Sequence, residues 1–274
     1  LYELYQFDNR TYHTWFCTFF SLQKIILSHL EKKYTFKSMK EIWIDAQTVA
    51  QQFKLPQQMI DYLWERIDIA KKKKINMKQD LAGNISQSYK LEDPQNLIIQ
   101  NLYNIVFNSV DNPKMFNFIN TEILNSSQKF GLKNVMLEPQ LDGLWVNFQK
   151  KGEFQPIHNH TGIFSFVIWM DIPYNHKDEA KLPFAKSNSK NPPGGNFSFV
   201  MSDIRSRSVS EYSIQMSPEM NGYCCFFPSD LCHQVYPFYT SDKYRISISG
   251  NISHQSMKSN PTPVYQFPFH TSET

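Results

Sequence analysis

The spacing of hydrophobic residues along the chain changes near Gly131. Before this point, apolar residues recur at helical intervals, most clearly after Pro56, where Ile60, Leu63 and Ile67 fall on one face. This spacing predicts an amphipathic helix. Looser versions of the same pattern predict three further helices, at roughly residues 21–33, 94–110 and 113–130. We therefore expect a mainly helical N-terminal half.

After Gly131 the chain consists of short alternating or continuous apolar runs separated by Pro, Gly, Asn and Ser. Runs such as "LWVNFQ", "GIFSFVIWMDI" and "YRISISGNI" are typical of the strands of a β-sandwich or barrel. A polar loop of 22 residues, 175–196, interrupts them and is long enough to form a lid. We predict an α+β protein with three parts: a helical region (1–131), a β core (132–256) and a tail (257–274).

Composition and charge agree with a globular chain and argue against nucleic acid as a partner. Of the 274 residues, 41% are hydrophobic and 15% aromatic, which excludes a disordered chain. The net charge is only +3, and four of the basic residues form one run, Lys71–Lys74, directly after a predicted helix. Such a run is typical of a solvated helix end.

The cysteines and the hydropathy profile indicate a cytoplasmic protein. Four cysteines, of which Cys224 and Cys225 are adjacent within an apolar strand, form no disulfide framework and suit a reducing compartment. No apolar stretch is long enough to cross a membrane, and no signal peptide opens the sequence. We expect no membrane association, and the sequence leaves the oligomeric state open.

Three histidines follow predicted strands in a pattern that suits metal binding. His158 and His160 lie two residues apart at a strand end, where alternate side chains share one face and two imidazoles can reach one ion. Taken alone, the pair also fits an ordinary polar loop. His233, which directly follows the strand "GYCCFFP" and its turn, is the natural third ligand. Imidazole suits divalent iron, zinc, copper and nickel.

A cation is directed to one face of the last predicted strand. In "YRISISGNI", Arg245 and Ser247 alternate with Ile246 and Ile248, so that the polar and apolar side chains lie on opposite faces. An arginine inside a barrel is costly unless an anion meets it, and a carboxylate is its natural bidentate partner. The strand therefore predicts an anion site close to the histidines.

The order of these motifs resembles that of the iron(II)- and 2-oxoglutarate-dependent oxygenases. It is most similar to a phage and marine bacterial group distantly related to prolyl 4-hydroxylases, over about residues 141–252. The resemblance implies a double-stranded β-helix, or jelly roll, with the helical half packed against it. It also implies an oxidoreductase, a dioxygenase that uses O2 and converts 2-oxoglutarate to succinate and CO2 while hydroxylating an unidentified small molecule or peptide.

The same resemblance assigns roles to individual residues. Iron would be held by His158, His160 and His233, and the outer carboxylate of 2-oxoglutarate by Arg245. Two further residues, Ser247 and Asn147, would complete the cofactor site.

One position departs from the family pattern. His160 stands where these oxygenases usually have a carboxylate, which leaves the metal centre one unit more positive. Two alternatives therefore stay open: a three-histidine iron dioxygenase that does not use 2-oxoglutarate, and a non-catalytic, cupin-like module that binds a metal or ligand. The direction of Arg245 discriminates between the oxygenase, which needs it directed inward, and the binding module, which does not.

Overall fold

The computed structural model of the protein describes residues 40–44, 49–78, 81–108, 137–185, 193–203 and 207–256. The helices expected at residues 21–33 and 113–130, and the tail 257–274, lie outside these ranges.

Two antiparallel sheets dominate the described part of the chain. The strands are β1 (Lys40–Trp43), β2 (Val49–Lys54), β3 (Gln87–Lys90), β4 (Leu137–Gln149), β5 (Gln155–His158), β6 (Phe164–Asp171), β7 (Phe197–Asp203), β8 (Ser208–Ile214), β9 (Tyr223–Pro228), β10 (His233–Val235) and β11 (Arg245–Ser256). The helices are α1 (Gln57–Lys73), α2 (Leu97–Asn108) and the short α3 (His176–Glu179), with a 3-10 turn at Pro218–Met220.

The strand order is that of a jelly-roll-like fold. The large sheet runs β1-β2-β9-β6-β11-β4-β3, and the small sheet runs β5-β10-β7-β8. From β4 onward the chain passes back and forth between the two sheets, so that β4, β6, β9 and β11 form the centre of the large sheet and the other four strands form the small one. The expected jelly-roll-like architecture is confirmed.

The prediction of a mainly helical first half is not confirmed. Helices α1 and α2 lie where the sequence places them, but β1, β2 and β3 extend the large sheet at its two ends. Residues 49–53 of β2 are all buried, because neighbouring structure covers both faces. A strand that is covered on both faces lacks the alternation of apolar and polar residues by which strands are predicted. Two of these five residues are also glutamines, so β2 lacks a continuous apolar run as well.

Helix α1 has the amphipathic character expected from its spacing. Met59, Leu63 and Ile67 are buried on one face, while the basic run Lys71–Lys74 is exposed as predicted. The first three of these lysines occupy the last turn, where positive charge favours the helix dipole. Lys74 then adopts a left-handed conformation (φ 52°) that ends the helix.

The large sheet separates two hydrophobic clusters. One lies between its outer face and helices α1 and α2, and the other lies between the two sheets. The adjacent Cys224 and Cys225 belong to different clusters, as expected for neighbours in a strand. Within the described ranges, no helix is both long enough and apolar enough to cross a membrane.

Candidate active site

Strand pairing brings the three predicted metal ligands together. His158 ends β5 and His233 begins β10, and the two residues are direct partners in the antiparallel pair. His160 lies in the following loop, where its backbone N–H donates to the Ser229 carbonyl at 2.8 Å. One potential ligand atom from each imidazole falls within 4.8 Å of the others. The three side chains therefore converge from two strands and a loop.

Hydrogen bonds orient two of the imidazoles for metal binding. Nδ1 of His158 donates to the Pro156 carbonyl at 2.7 Å, and Nδ1 of His233 donates to the Leu231 carbonyl at 2.9 Å. A proton held at Nδ1 leaves the lone pair on Nε2, which is the atom that binds a metal. Carbonyl partners of this kind fix both the tautomer and the ring direction of metal-binding histidines.

Burial also keeps the histidines in the neutral form that binds metals. Loss of hydration, together with a smaller effect of the neighbouring His158, lowers the pKa of His160 to about 4. Burial likewise lowers the pKa of His158, and it holds the pKa of His233 well below its usual range. At neutral pH, therefore, no proton has to be displaced before a metal binds.

Arg245 is buried at the other end of the same cavity, as the alternation in β11 predicts. Only 2% of its surface is exposed. Its Nη1 donates to the Tyr174 hydroxyl at 3.0 Å and to the Gly195 carbonyl at 3.2 Å. Both bonds are to neutral oxygens, so the guanidinium has no carboxylate partner among the described residues. A buried cation of this kind favours an anionic ligand.

A turn before β7 supports the guanidinium. Gly195 has a φ of 73°, and a Cβ atom there would collide with the ring of Tyr174, so only glycine fits this position. The Tyr174 hydroxyl donates to the Gly195 carbonyl, while its ring stacks on Phe238 with a centroid distance of 4.5 Å. Burial raises the pKa of Tyr174 to about 12, which keeps the phenol protonated and able to donate.

A buried carboxylate anchors the first described part of the polar loop 175–196, residues 175–185. Glu179, in α3, is 1% exposed, and its oxygens accept hydrogen bonds from the backbone N–H groups of Tyr239 and Thr240, both at 2.8 Å. The Thr240 hydroxyl adds a third bond at 2.5 Å. The loop is therefore tied to the segment that leads into Arg245.

The predicted cofactor contacts Ser247 and Asn147 lie side by side on the floor of the cavity. Asn147 pairs with Ser247 of β11 on one side and with Ser88 of β3 on the other. Ser88 donates its hydroxyl to Asn147 Oδ1 at 2.7 Å, and all three side chains are largely buried. Because Oδ1 is engaged in this way, the amide N–H groups of Asn147 are the part that remains for a ligand.

All six predicted site residues line one cavity of about 170 Å³. Its walls also include Trp145, whose ring centroid lies 5.8 Å from that of His160. The charged side chains of the lining are Arg245 and Lys78, and no acidic side chain from the described ranges joins them. The donor set of three neutral imidazoles suits iron(II), and the buried guanidinium suits a carboxylate, so the cavity fits both expected cofactors.

Sequence reasoning missed three residues of this region: Tyr174, Ser88 and Glu179. Tyr174 comes shortly after a long apolar strand and gives no local sign of its role. Ser88 belongs to a strand that was not predicted. Glu179 stands among other polar residues of a loop, where a buried carboxylate cannot be told from a solvated one. Only the tertiary contacts identify these three side chains.

Residues 143–251 match a protein family described as a putative 2OG-Fe(II) oxygenase, where 2OG denotes 2-oxoglutarate. The match relates this segment to the iron(II)- and 2-oxoglutarate-dependent oxygenases. The resemblance drawn from the sequence is thereby confirmed, as are the enzymatic class and the two cofactors. No curated protein matches the sequence of the chain.

Several solved structures are similar to this chain. A prolyl-4-hydroxylase from Pseudomonas putida is 14% identical, with 76% of this chain and 93% of that chain covered and a TM-score of 0.43. A viral collagen prolyl hydroxylase from Paramecium Bursaria Chlorella virus-1 is 12% identical, with 74% and 94% covered and a TM-score of 0.37. A prolyl hydroxylase from Trichoplax adhaerens is 10% identical, with 76% and 83% covered and a TM-score of 0.39.

Proposed function

We propose that the oxygenase domain hydroxylates a carbon of its substrate at an iron held by His158, His160 and His233. The observation that carries this proposal is that the three imidazoles and the buried Arg245 line the same cavity. When bound, iron(II) and 2-oxoglutarate supply the oxidising chemistry, in which O2 and 2-oxoglutarate are consumed and succinate and CO2 are released.

Each side chain has a distinct task in this proposal. The imidazoles hold the metal through Nε2, and the carbonyls of Pro156 and Leu231 keep two of the rings in that orientation. Arg245 binds the outer carboxylate of 2-oxoglutarate, and the Tyr174 hydroxyl fixes the plane of the guanidinium.

The floor of the cavity orients the inner part of the cofactor. Asn147 donates its amide N–H groups to the inner carboxylate or keto oxygen, while Ser247, on the neighbouring strand, adds a hydroxyl to the outer carboxylate that Arg245 binds. Both side chains are buried, so their bonds to a ligand form away from bulk water. We also propose that residues 132–256 form the catalytic core.

The proposal is tested by binding and turnover on anaerobically purified protein. We expect one iron per chain, a visible absorption band when 2-oxoglutarate is added without O2, and slow formation of succinate when O2 is admitted. Iron binding without any affinity for 2-oxoglutarate would instead support the three-histidine dioxygenase or the binding module. The family match and the inward direction of Arg245 favour the 2-oxoglutarate-dependent oxygenase over both alternatives.

A further inference from the structure

The cavity is also lined by a segment next to β3 that the proposed function does not use. The strands follow in the order β11, β4, β3, so Ser88 lies two strand spacings, about 10 Å, from the strand of Arg245. Residues 75–77 run along the outer side of β3, where the Met77 N–H donates to the Ser88 carbonyl at 3.1 Å. Lys78 follows directly and lines the cavity.

Further along the chain, residues 81–85 lie beside the start of β5 in the small sheet. The Asn84 N–H donates to the carbonyl of Phe154, just before β5, at 2.9 Å. Between Lys78 and this bond, apolar side chains line the cavity together with Trp145 of β4. We call this part of the cavity the outer arm and define it by Lys78, Leu81, Gly83, Ile85 and Trp145.

The outer arm has apolar walls and one charged group. Ile85 is 3% exposed and Trp145 is 5% exposed, whereas Lys78 is exposed at the rim. Lys78 forms no ion pair with any residue in the described ranges. The nearby acidic residue Glu153 does not line the cavity. Its two carboxylate oxygens accept hydrogen bonds from the backbone N–H groups of Ser86 and Lys150, at 3.0 and 2.8 Å.

The charge of the loaded site points to the class of substrate. Iron(II) carries two positive charges and 2-oxoglutarate two negative ones, so they cancel when all three metal ligands are neutral imidazoles. Among the lining residues that the structure describes, Arg245 and Lys78 then contribute two positive charges. A carboxylate in place of His160 would remove one of them. A cleft lined by one sign of charge attracts ligands of the opposite sign.

We infer, on the basis of the proposed function, that the outer arm binds a substrate with an anionic group on an apolar stem. Lys78 binds the anion, a carboxylate or a phosphate, while Leu81, Ile85 and Trp145 contact the stem. The carbon to be oxidised then lies between the outer arm and the three histidines. Lys78 is thus a specificity-determining residue for the oxygenase.

The test uses four probes that each contain a linear chain of six carbon atoms and differ in the end group: hexanoate, hexyl phosphate, hexanamide and hexylamine. Each is titrated into the anaerobic protein saturated with iron(II) and 2-oxoglutarate, and binding is read from the shift of the absorption band. Comparison of hexanoate with hexyl phosphate separates the two anion types. We expect the better anion to bind about two- to fivefold more tightly than hexanamide, as for a partly exposed ion pair.

Three variants identify the residue responsible. Lys78→Gln should lower the affinity for the anionic probe to that for hexanamide, and Lys78→Glu should make hexylamine the preferred probe. Added salt should weaken anion binding in the wild type but not in Lys78→Gln. The matched control is Lys72→Glu, which makes the same charge change on an exposed face of α1 that does not line the cavity. Affinity for 2-oxoglutarate should stay unchanged in all three variants.

Any of three results would overturn the inference alone, and the first two concern the preference for anions. One is equal binding of anionic and neutral probes by the wild type, and another is an anion preference that survives in Lys78→Glu. The third is disappearance of the band rather than a shift, since that shows the probe displacing 2-oxoglutarate at the Arg245 end. Failure of the proposed function looks different, because the wild type would then form no band with 2-oxoglutarate before any probe is added.

Discussion

Replacing Arg245 tests the cofactor assignment most directly, because the structure separates the effect on binding from the effect on folding. We choose Arg245→Met, since methionine is unbranched and fills irregular space without adding a polar group. In the free protein the change removes two hydrogen bonds, to the Tyr174 hydroxyl and to the Gly195 carbonyl. The carbonyl keeps its bond from Tyr174.

The cost to the fold is expected to be modest. Two hydrogen bonds at about 0.5–1.5 kcal/mol each amount to about 1–3 kcal/mol, against a total stability of about 5–15 kcal/mol for a typical domain. The cost to cofactor binding is larger. A buried charge left without its partner costs about 3–5 kcal/mol, which corresponds to roughly two to four powers of ten in affinity. Arg245→Met should therefore fold, bind iron and lose 2-oxoglutarate.

Calorimetry with 2-oxoglutarate, the anaerobic absorption band and the iron content measure these effects on one preparation. Arg245→Lys is the matched control, and it should recover only part of the affinity, because an ammonium group cannot form the planar two-point contact of a guanidinium. The reasoning is refuted if Arg245→Met binds 2-oxoglutarate as tightly as the wild type. It is also refuted if the variant loses its iron while its circular dichroism is unchanged.

The remaining predictions concern the metal ligands and the cavity floor. Replacing His158, His160 or His233 singly by Ala should abolish tight iron binding without unfolding the chain, and near-stoichiometric iron in all three variants would remove the triad from the proposal. His160→Asp should retain iron, since a carboxylate is the common ligand at this position, and complete metal loss in a folded variant would contradict that. Ser88→Ala should weaken 2-oxoglutarate binding by about five- to tenfold, because Asn147 loses the hydrogen bond that orients its amide and one such bond is worth about 1 kcal/mol. The affinity for iron should stay unchanged. The melting temperature of the metal-free protein should fall as the pH drops from about 6.5 to about 4, because in this range the unfolded chain binds protons that the folded histidines do not bind. The melting temperature of His160→Asn should fall less steeply over the same range.

Parts of this site could be predicted because they depend on local periodicity. The spacing of two between His158 and His160, and the alternation of Arg245 with Ile246, both follow from strand geometry alone. Tyr174 could not be found in this way, since its role depends on a hydrogen bond to Arg245, 71 residues away. Ser88 escaped because β3 is a four-residue strand whose polar sequence carries no apolar alternation.

The first half of the chain shows the same limit at the level of the fold. Helix α1 follows from a stripe of buried residues on one face, which the sequence displays directly. The strands β1 and β2 are held by pairing with each other and with β9, more than 160 residues further along the chain. Nothing in their own sequence specifies that partner, so the large sheet is wider than the apolar pattern after Gly131 predicts.

The two cations that line the cavity differ in burial, and this difference bears on how strongly each holds an anion under the proposed function. Arg245 is 2% exposed and donates to the Tyr174 hydroxyl and the Gly195 carbonyl. Lys78, at the outer arm, is exposed. An exposed ion pair is screened by water and salt, whereas a buried pair is screened much less. Added salt should therefore weaken the binding of an anion held by Lys78 more than the binding of 2-oxoglutarate held by Arg245, which titrations at two ionic strengths can measure.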